Sequence, residues 1–69
     1  MKYAVAVAYD GKNEIKIVET KSPFDAMIKV MGLEEEKENY SDIDEIQEMA
    51  WDGGTAVSKP LKLNREILK

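Results

Sequence analysis

The side chains of this chain that could do chemistry are mostly carboxylates. Fourteen of its 69 residues are Asp or Glu, and none is His or Cys. Nine of the acids, Glu34, Glu35, Glu36, Glu38, Asp42, Asp44, Glu45, Glu48 and Asp52, fall in one stretch against Lys37 alone, a local balance of −8. The whole chain carries −4, so the remainder is +4, with its cations scattered. A charge distribution of this kind repels nucleic acid and attracts basic surfaces. Nucleic-acid binders gather Lys and Arg on one face instead, so direct nucleic-acid binding is not expected.

Bond-making chemistry finds little to work with. Without His or Cys, a nucleophile such as Ser41 or Ser58 lacks its usual activating base, and the commonest metal ligands are absent. Asp42-Ile43-Asp44 has the opening of a calcium loop, but the positions that need Gly and a bidentate Glu hold Gln47 and Gly53. Asp52-Gly53-Gly54-Thr55 lacks the Lys-Ser/Thr pair of a phosphate loop and reads as a helix stop before a strand. Asp10, between Tyr9 and Gly11, reads as a hairpin-turn residue; two-metal catalysis would need further convergent carboxylates and a cleft. The chain is therefore expected to be non-enzymatic and to take no cofactor and no metal.

Three surfaces remain as binding candidates. The first is the acidic flank, represented by Glu34, Glu35, Glu36, Glu38, Asp42 and Glu45, which suits docking on a basic partner; its plainer reading is a solvated helix and loop face. Trp51 is the second, because interface anchors are enriched in tryptophan; alternatively it closes the core at a helix end. The third is a stripe of small residues, Ala4, Ala6 and Ala8, which allows another sheet or chain to approach closely, or forms an ordinary outer sheet face.

These residues must be positioned by a few short elements. Tyr3 to Tyr9 alternates large and small apolar residues with period two, as a strand does. Asp10-Gly11-Lys12-Asn13 reads as a turn, and a second strand follows over about Glu14 to Lys21. An odd loop of three or five residues would place Ile15 and Ile17 on the same face as Tyr3, Val5, Val7 and Tyr9, collecting the large apolar groups. That register is preferred; the alanine face would then carry Lys16, Val18 and Thr20. Ser22-Pro23-Phe24-Asp25 starts a helix with Ser22 as N-cap and Pro23 in the first turn. Its stripe is Phe24, Met27, Ile28 and Met31, and Gly32 with Leu33 ends it. Glu34 to Tyr40 fits either a solvated loop or an extra helical turn. Ser41 is expected to cap a second helix with Ile43, Ile46 and Ala50 inward, Met49 beside them and Trp51 off the stripe, ending at Gly53-Gly54. Thr55 to Leu63 reads as a third strand with Val57, Leu61 and Leu63 on one parity. Pro60 in its middle requires an edge strand or one broken in two. Asn64 to Lys69 is a tail whose Ile67 and Leu68 could dock.

The order predicts one α+β domain over residues 1–69: a small three-stranded sheet (ββααβ) with two helices packed on one face. With antiparallel helices the third strand would run parallel to the first, and the apolar first strand favours order 2-1-3 over 1-2-3. A chain this short hides only about 60% of its unfolded surface, so homo-oligomerisation is an expected aid. No apolar run approaches the roughly 20 residues that cross a bilayer, and Met1-Lys2 leads into the first strand without a signal-peptide pattern. No membrane association and a cytoplasmic, unprocessed chain are expected. Two functions fit. One is a small acidic interaction module that regulates or inhibits a partner with a basic, nucleic-acid-binding surface. The other is a structural or accessory subunit that self-associates through its sheet, the acidic flank serving solubility.

Overall fold

A computed structural model describes residues 1–63 and shows an α+β fold. The elements are β1 (Lys2–Tyr9), β2 (Lys12–Glu19), α1 (Pro23–Met31), a 3-10 turn (Glu34–Asn39), α2 (Ile43–Asp52), β3 (Thr55–Val57) and β4 (Leu61–Leu63). β1 is central, with β2 on one side and β3 and β4 in succession on the other. The tail, including Ile67 and Leu68, lies outside the described residues. Among those described, no helix is long and apolar enough to cross a membrane.

The hairpin differs from the register preferred above. Only Asp10 and Gly11 separate β1 from β2, and both have positive φ, 48° and 74°. That is the two-residue turn whose twist matches paired strands, and Asp-Gly suits it because Gly takes positive φ freely and Asp tolerates it. An even loop pairs Ala4 with Ile17 and Ala6 with Ile15. The two isoleucines therefore lie beside the alanines, 62% and 68% exposed. Val18 lies opposite Tyr3, and Lys16 and Glu14 lie opposite Val5 and Val7. Hydrophobic collection yielded to turn geometry.

Both helices cover the Tyr/Val face. Ser22 Oγ accepts from the Asp25 N–H at 3.1 Å, as an N-cap should. At the other end Gly32 has φ 68°, the Leu33 N–H reaches the Ile28 carbonyl (2.9 Å), and the Gly32 N–H reaches that of Lys29 (3.2 Å). Leu33 and Ile28 are both buried, which completes a Schellman stop. Met27, Ile28, Ile46 and Ala50 close over Val5, Val7 and Val57, with Phe24, Met31 and Ile43 packed around them. The open question at Glu34 to Tyr40 resolves as the 3-10 turn with no buried residue. The N-cap of α2 is Asp42, whose Oδ1 accepts from the Glu45 N–H at 2.9 Å, rather than Ser41. Glu45 in turn accepts from the Ser41 main-chain N–H, so the acid takes the cap and the serine is held just outside it.

Two further expectations about the last strand are corrected. The order 2-1-3 holds, but β3 and β4 run antiparallel to β1. β2 and β3 thus point the same way on either side of β1, because α1, the 3-10 turn and α2 together carry the chain along the sheet once rather than out and back. Val57, Leu61 and Leu63 also do not share a face. Val57 pairs with Val7 on the helix side, whereas Leu61 pairs with Ala4 and Leu63 with Lys2 on the other. The cause is a bulge. The Ser58 N–H donates to the Ala6 carbonyl and the Ala6 N–H donates to Ser58 Oγ, each at 2.9 Å. Lys59 and Pro60 then stand against Val5 alone, and the extra residue turns the strand over.

The core and the open face should answer differently to truncation. Ile46→Ala removes a side chain with no exposure and is expected to cost about 3 kcal/mol in urea denaturation. Ile17→Ala, measured in dilute monomer, should cost under about 0.5 kcal/mol.

Candidate functional site

The side of the sheet away from the helices is assembled from alternate residues of every strand. β1 contributes Ala4, Ala6 and Ala8; β2 contributes Ile15 and Ile17; β3 and β4 contribute Ala56, Leu61 and Leu63. Ala6, Ala56, Ile15, Ile17 and Leu61 are exposed, and Ala4, Ala8 and Leu63 are half-buried by their neighbours alone. No described element packs over this side. The alanines form a low floor between two ridges, the isoleucines on β2 and Leu61 on β4. Ala6, Ala8, Asn13, Ile15, Ala56 and Ser58 line an open, predominantly apolar depression at one end. At the opposite end Lys2 and Glu19 are cross-strand neighbours and balance each other. The chemistry of this surface is desolvation: it presents large apolar groups to water with almost no net charge.

The three alanines singled out from the sequence are brought together on this face. Sequence reasoning missed Ile15, Ile17 and Leu61, which supply most of its bulk. Two signals could have found them. Asp10-Gly11 specifies an even loop, and Pro60 marks the point where β4 changes parity.

The acidic residues are placed differently. Glu34, Glu35, Glu36 and Glu38 are exposed on the 3-10 turn, and among the described residues no cation lies within salt-bridge distance of them. Lys37, the lone cation of the stretch, turns back to Asp25 at 2.6 Å. Asp42 and Glu45 are engaged in starting α2. Trp51 is 69% exposed at the far end of that helix, about 13 Å along its axis from Asp42. It borders a shallow groove with Asp44, Gln47, Glu48 and Asp52. Gln47 closes part of that groove by donating to the Val57 carbonyl at 2.9 Å, which occupies an outward acceptor of the short edge strand. The structure therefore separates Trp51 from the glutamate run.

Among the described residues, two groups titrate away from their ordinary values. The Lys37 ammonium, hydrogen-bonded to Asp25, holds that carboxyl below its usual 3.8; partial desolvation opposes the shift and Ser22 adds to it. The Glu14 carboxylate beside Tyr9, whose hydroxyl donates to it at 3.2 Å, raises the phenol above 10.

Two measurements check this placement. Trp51 emission should lie near that of free indole in the dilute chain, and a strong blue shift would contradict its exposure. For Asp25 the depressed folded value means that its stabilising contribution is present above pH 3.8 and is lost as the pH falls below it. Lys37→Met should raise the Asp25 carboxyl toward 3.8 in an NMR titration and flatten that acid loss.

Comparison with models of known protein families, with curated proteins and with solved structures finds no match to this chain.

Proposed function

We propose that the chain is a non-enzymatic cytoplasmic assembly module that associates with further copies of itself through its sheet, open face against open face. One observation carries this reading: Ile15, Ile17 and Leu61 stand together around an alanine floor, each more than 60% exposed. Contiguous apolar patches of this kind mark interaction sites on soluble proteins. Two sheets pack about 10 Å apart when their facing side chains interdigitate. Alanine floors and isoleucine ridges are complementary shapes for that packing. The balanced charge of the face adds no repulsion between copies, and the acidic flank lies away from it on the 3-10 turn and α2.

A second reading keeps the acidic flank as a docking surface for a basic, nucleic-acid-binding partner, as a regulator or inhibitor. What favours it is the inward turn of Lys37, which leaves Glu34, Glu35, Glu36 and Glu38 uncompensated on the outside. Under this reading an immobilised basic peptide retains the chain in a salt-sensitive way, and changing the four glutamates to glutamine abolishes the retention.

For the principal reading, Ala6→Arg places a charge in the middle of the floor. It should lower the mass of the assembly seen by light scattering across a concentration series while the circular dichroism spectrum is unchanged. A wild-type assembly whose mass survives Ala6→Arg would rule this face out as an interface.

A further inference from the structure

The sheet also has an unpaired edge. β2 pairs with β1 on one side, and among the described residues no strand pairs with its other side. The hairpin fixes which main-chain groups point there. Tyr9 and Lys12 flank the two-residue turn and so form a hydrogen-bonded pair. The far end of the ladder agrees. The Thr20 N–H donates to the Met1 carbonyl at 2.9 Å, and the Met1 amino group donates to the Thr20 carbonyl at 3.1 Å. Alternation between these ends directs the even residues of β2 to β1 and turns the N–H and C=O groups of Asn13, Ile15, Ile17 and Glu19 outward. All four are exposed, and no Pro or bulge interrupts the strand.

We propose that a second copy of this chain adds to that edge, β2 beside β2 and antiparallel across a two-fold axis, so that the two sheets become one. The proposal rests on the reading that the chain self-associates through its sheet. The commitment to a second copy comes from charge. With Ile15 on the axis, opposite the second copy's Ile15, Asn13 meets Ile17 and roughly six main-chain hydrogen bonds form. On the helix side Glu14 then lies opposite the second copy's Lys16, and Lys16 opposite its Glu14. Shifting by two residues in one direction sets Glu14 against Glu14, and in the other sets Lys16 against Lys16, both repulsive. Within one copy Glu14 and Lys16 are 3.9 Å apart and nearly half exposed, so both charges are available to a neighbour.

Area supplies a second argument. One open face is three strands wide and built on strands of eight residues, so it spans roughly 14 by 26 Å, about 360 Å². A standard interface takes about 800 Å² from each partner. Joining two β2 edges puts two faces in one plane and doubles the area. Edge pairing brings the joined face close to that size.

Sedimentation or light scattering over a concentration series tests this with the full chain. Glu14→Lys and Lys16→Glu each convert two attractive pairs into two repulsive ones. Each should weaken the edge pair about tenfold or more, and the combined charge swap should restore it. The chain has no cysteine, so Ile15→Cys reports the register. Its on-axis pair would sit about 5.5 Å apart by Cα and cross-link on mild oxidation. Ile17→Cys, roughly 13 Å from its counterpart, should not. A charge swap that fails to restore association, or equal cross-linking at both positions, overturns the proposal. Ala6→Arg keeps the two readings apart, because Ala6 is on the central strand and the edge pair should survive as a dimer. If Ala6→Arg gives monomer and Glu14→Lys changes nothing, the edge falls and the face reading stands. If Glu14→Lys gives monomer and Ala6→Arg changes nothing, the reverse holds. A chain that is monomeric at every concentration overturns both.

Discussion

The main chain reverses between β1 and β2 through two residues that both hold positive φ, and every pairing in the hairpin descends from that reversal. A left-handed pair of residues at the turn costs little when the second is Gly and the first is Asp, and its twist agrees with that of the strands it joins. Once Tyr9 and Lys12 are opposite each other, strand parity leaves no freedom. Tyr3, Val5 and Val7 look to the helices, and Ile15 and Ile17 look away. A single added residue in the turn would reverse β2 and send the isoleucines inward. The two-residue turn thus sets the chemical character of both faces of the sheet.

The far side of β1 reaches a matching result by another route. Thr55–Val57 enters the sheet in the register that lays Val57 against Val7 and under α2, and Gln47 ties that helix to the strand. Continuing in the same register would bury Leu61. Pro60 has no N–H to offer the ladder, and the bulge that accommodates it shifts the pairing by one residue. Ser58 makes the shift cheap by supplying its hydroxyl as the acceptor for the Ala6 N–H. Leu61 then emerges on the same side as Ile15 and Ile17. A tight turn on one flank and a bulge on the other converge on one apolar surface with alanine between.

Local signals in the sequence read the fold well wherever one residue type dictates one geometry. Ser22-Pro23 began α1 and Gly32-Leu33 ended it as their capping chemistry requires, and Pro60 divided the last strand. Legibility failed where a local rule met a global preference. Burying Ile15 and Ile17 calls for an odd loop, yet Asp10-Gly11 forms the two-residue turn and the parity of β2 follows from it. Strand direction failed for a different reason: it depends on how far two helices and a 3-10 turn travel together, which no single residue encodes. At α2, Asp42 displaced Ser41 as the cap because both are good acceptors, one residue apart, and Glu45 can satisfy the other's N–H. Of the candidate surfaces, the alanine stripe was visible from alternation alone. Its isoleucine and leucine walls were hidden behind the turn and the bulge.

That inversion of β2 has an energetic meaning. Lys12, Glu14 and Lys16 occupy the helix side, where α1 reaches the strand only partly, while Ile15 and Ile17 occupy the side that no described element covers. Burying an isoleucine fully contributes about 1.5–3 kcal/mol relative to leaving it in water. A domain of this length has a net stability of only about 0.05–0.15 kcal/mol per residue. Ile15, Ile17 and Leu61 are each about two-thirds exposed, so together they withhold about 3–6 kcal/mol, a large fraction of that stability. Rotating the strands cannot recover it, because the turn fixes the parity of β2 and the bulge fixes that of β4. Both ridges flank a floor of alanine that has no bulk of its own to meet them. Among the described residues nothing completes this side of the sheet, and a second sheet with the same ridges and floor has the complementary shape that the proposed self-association uses.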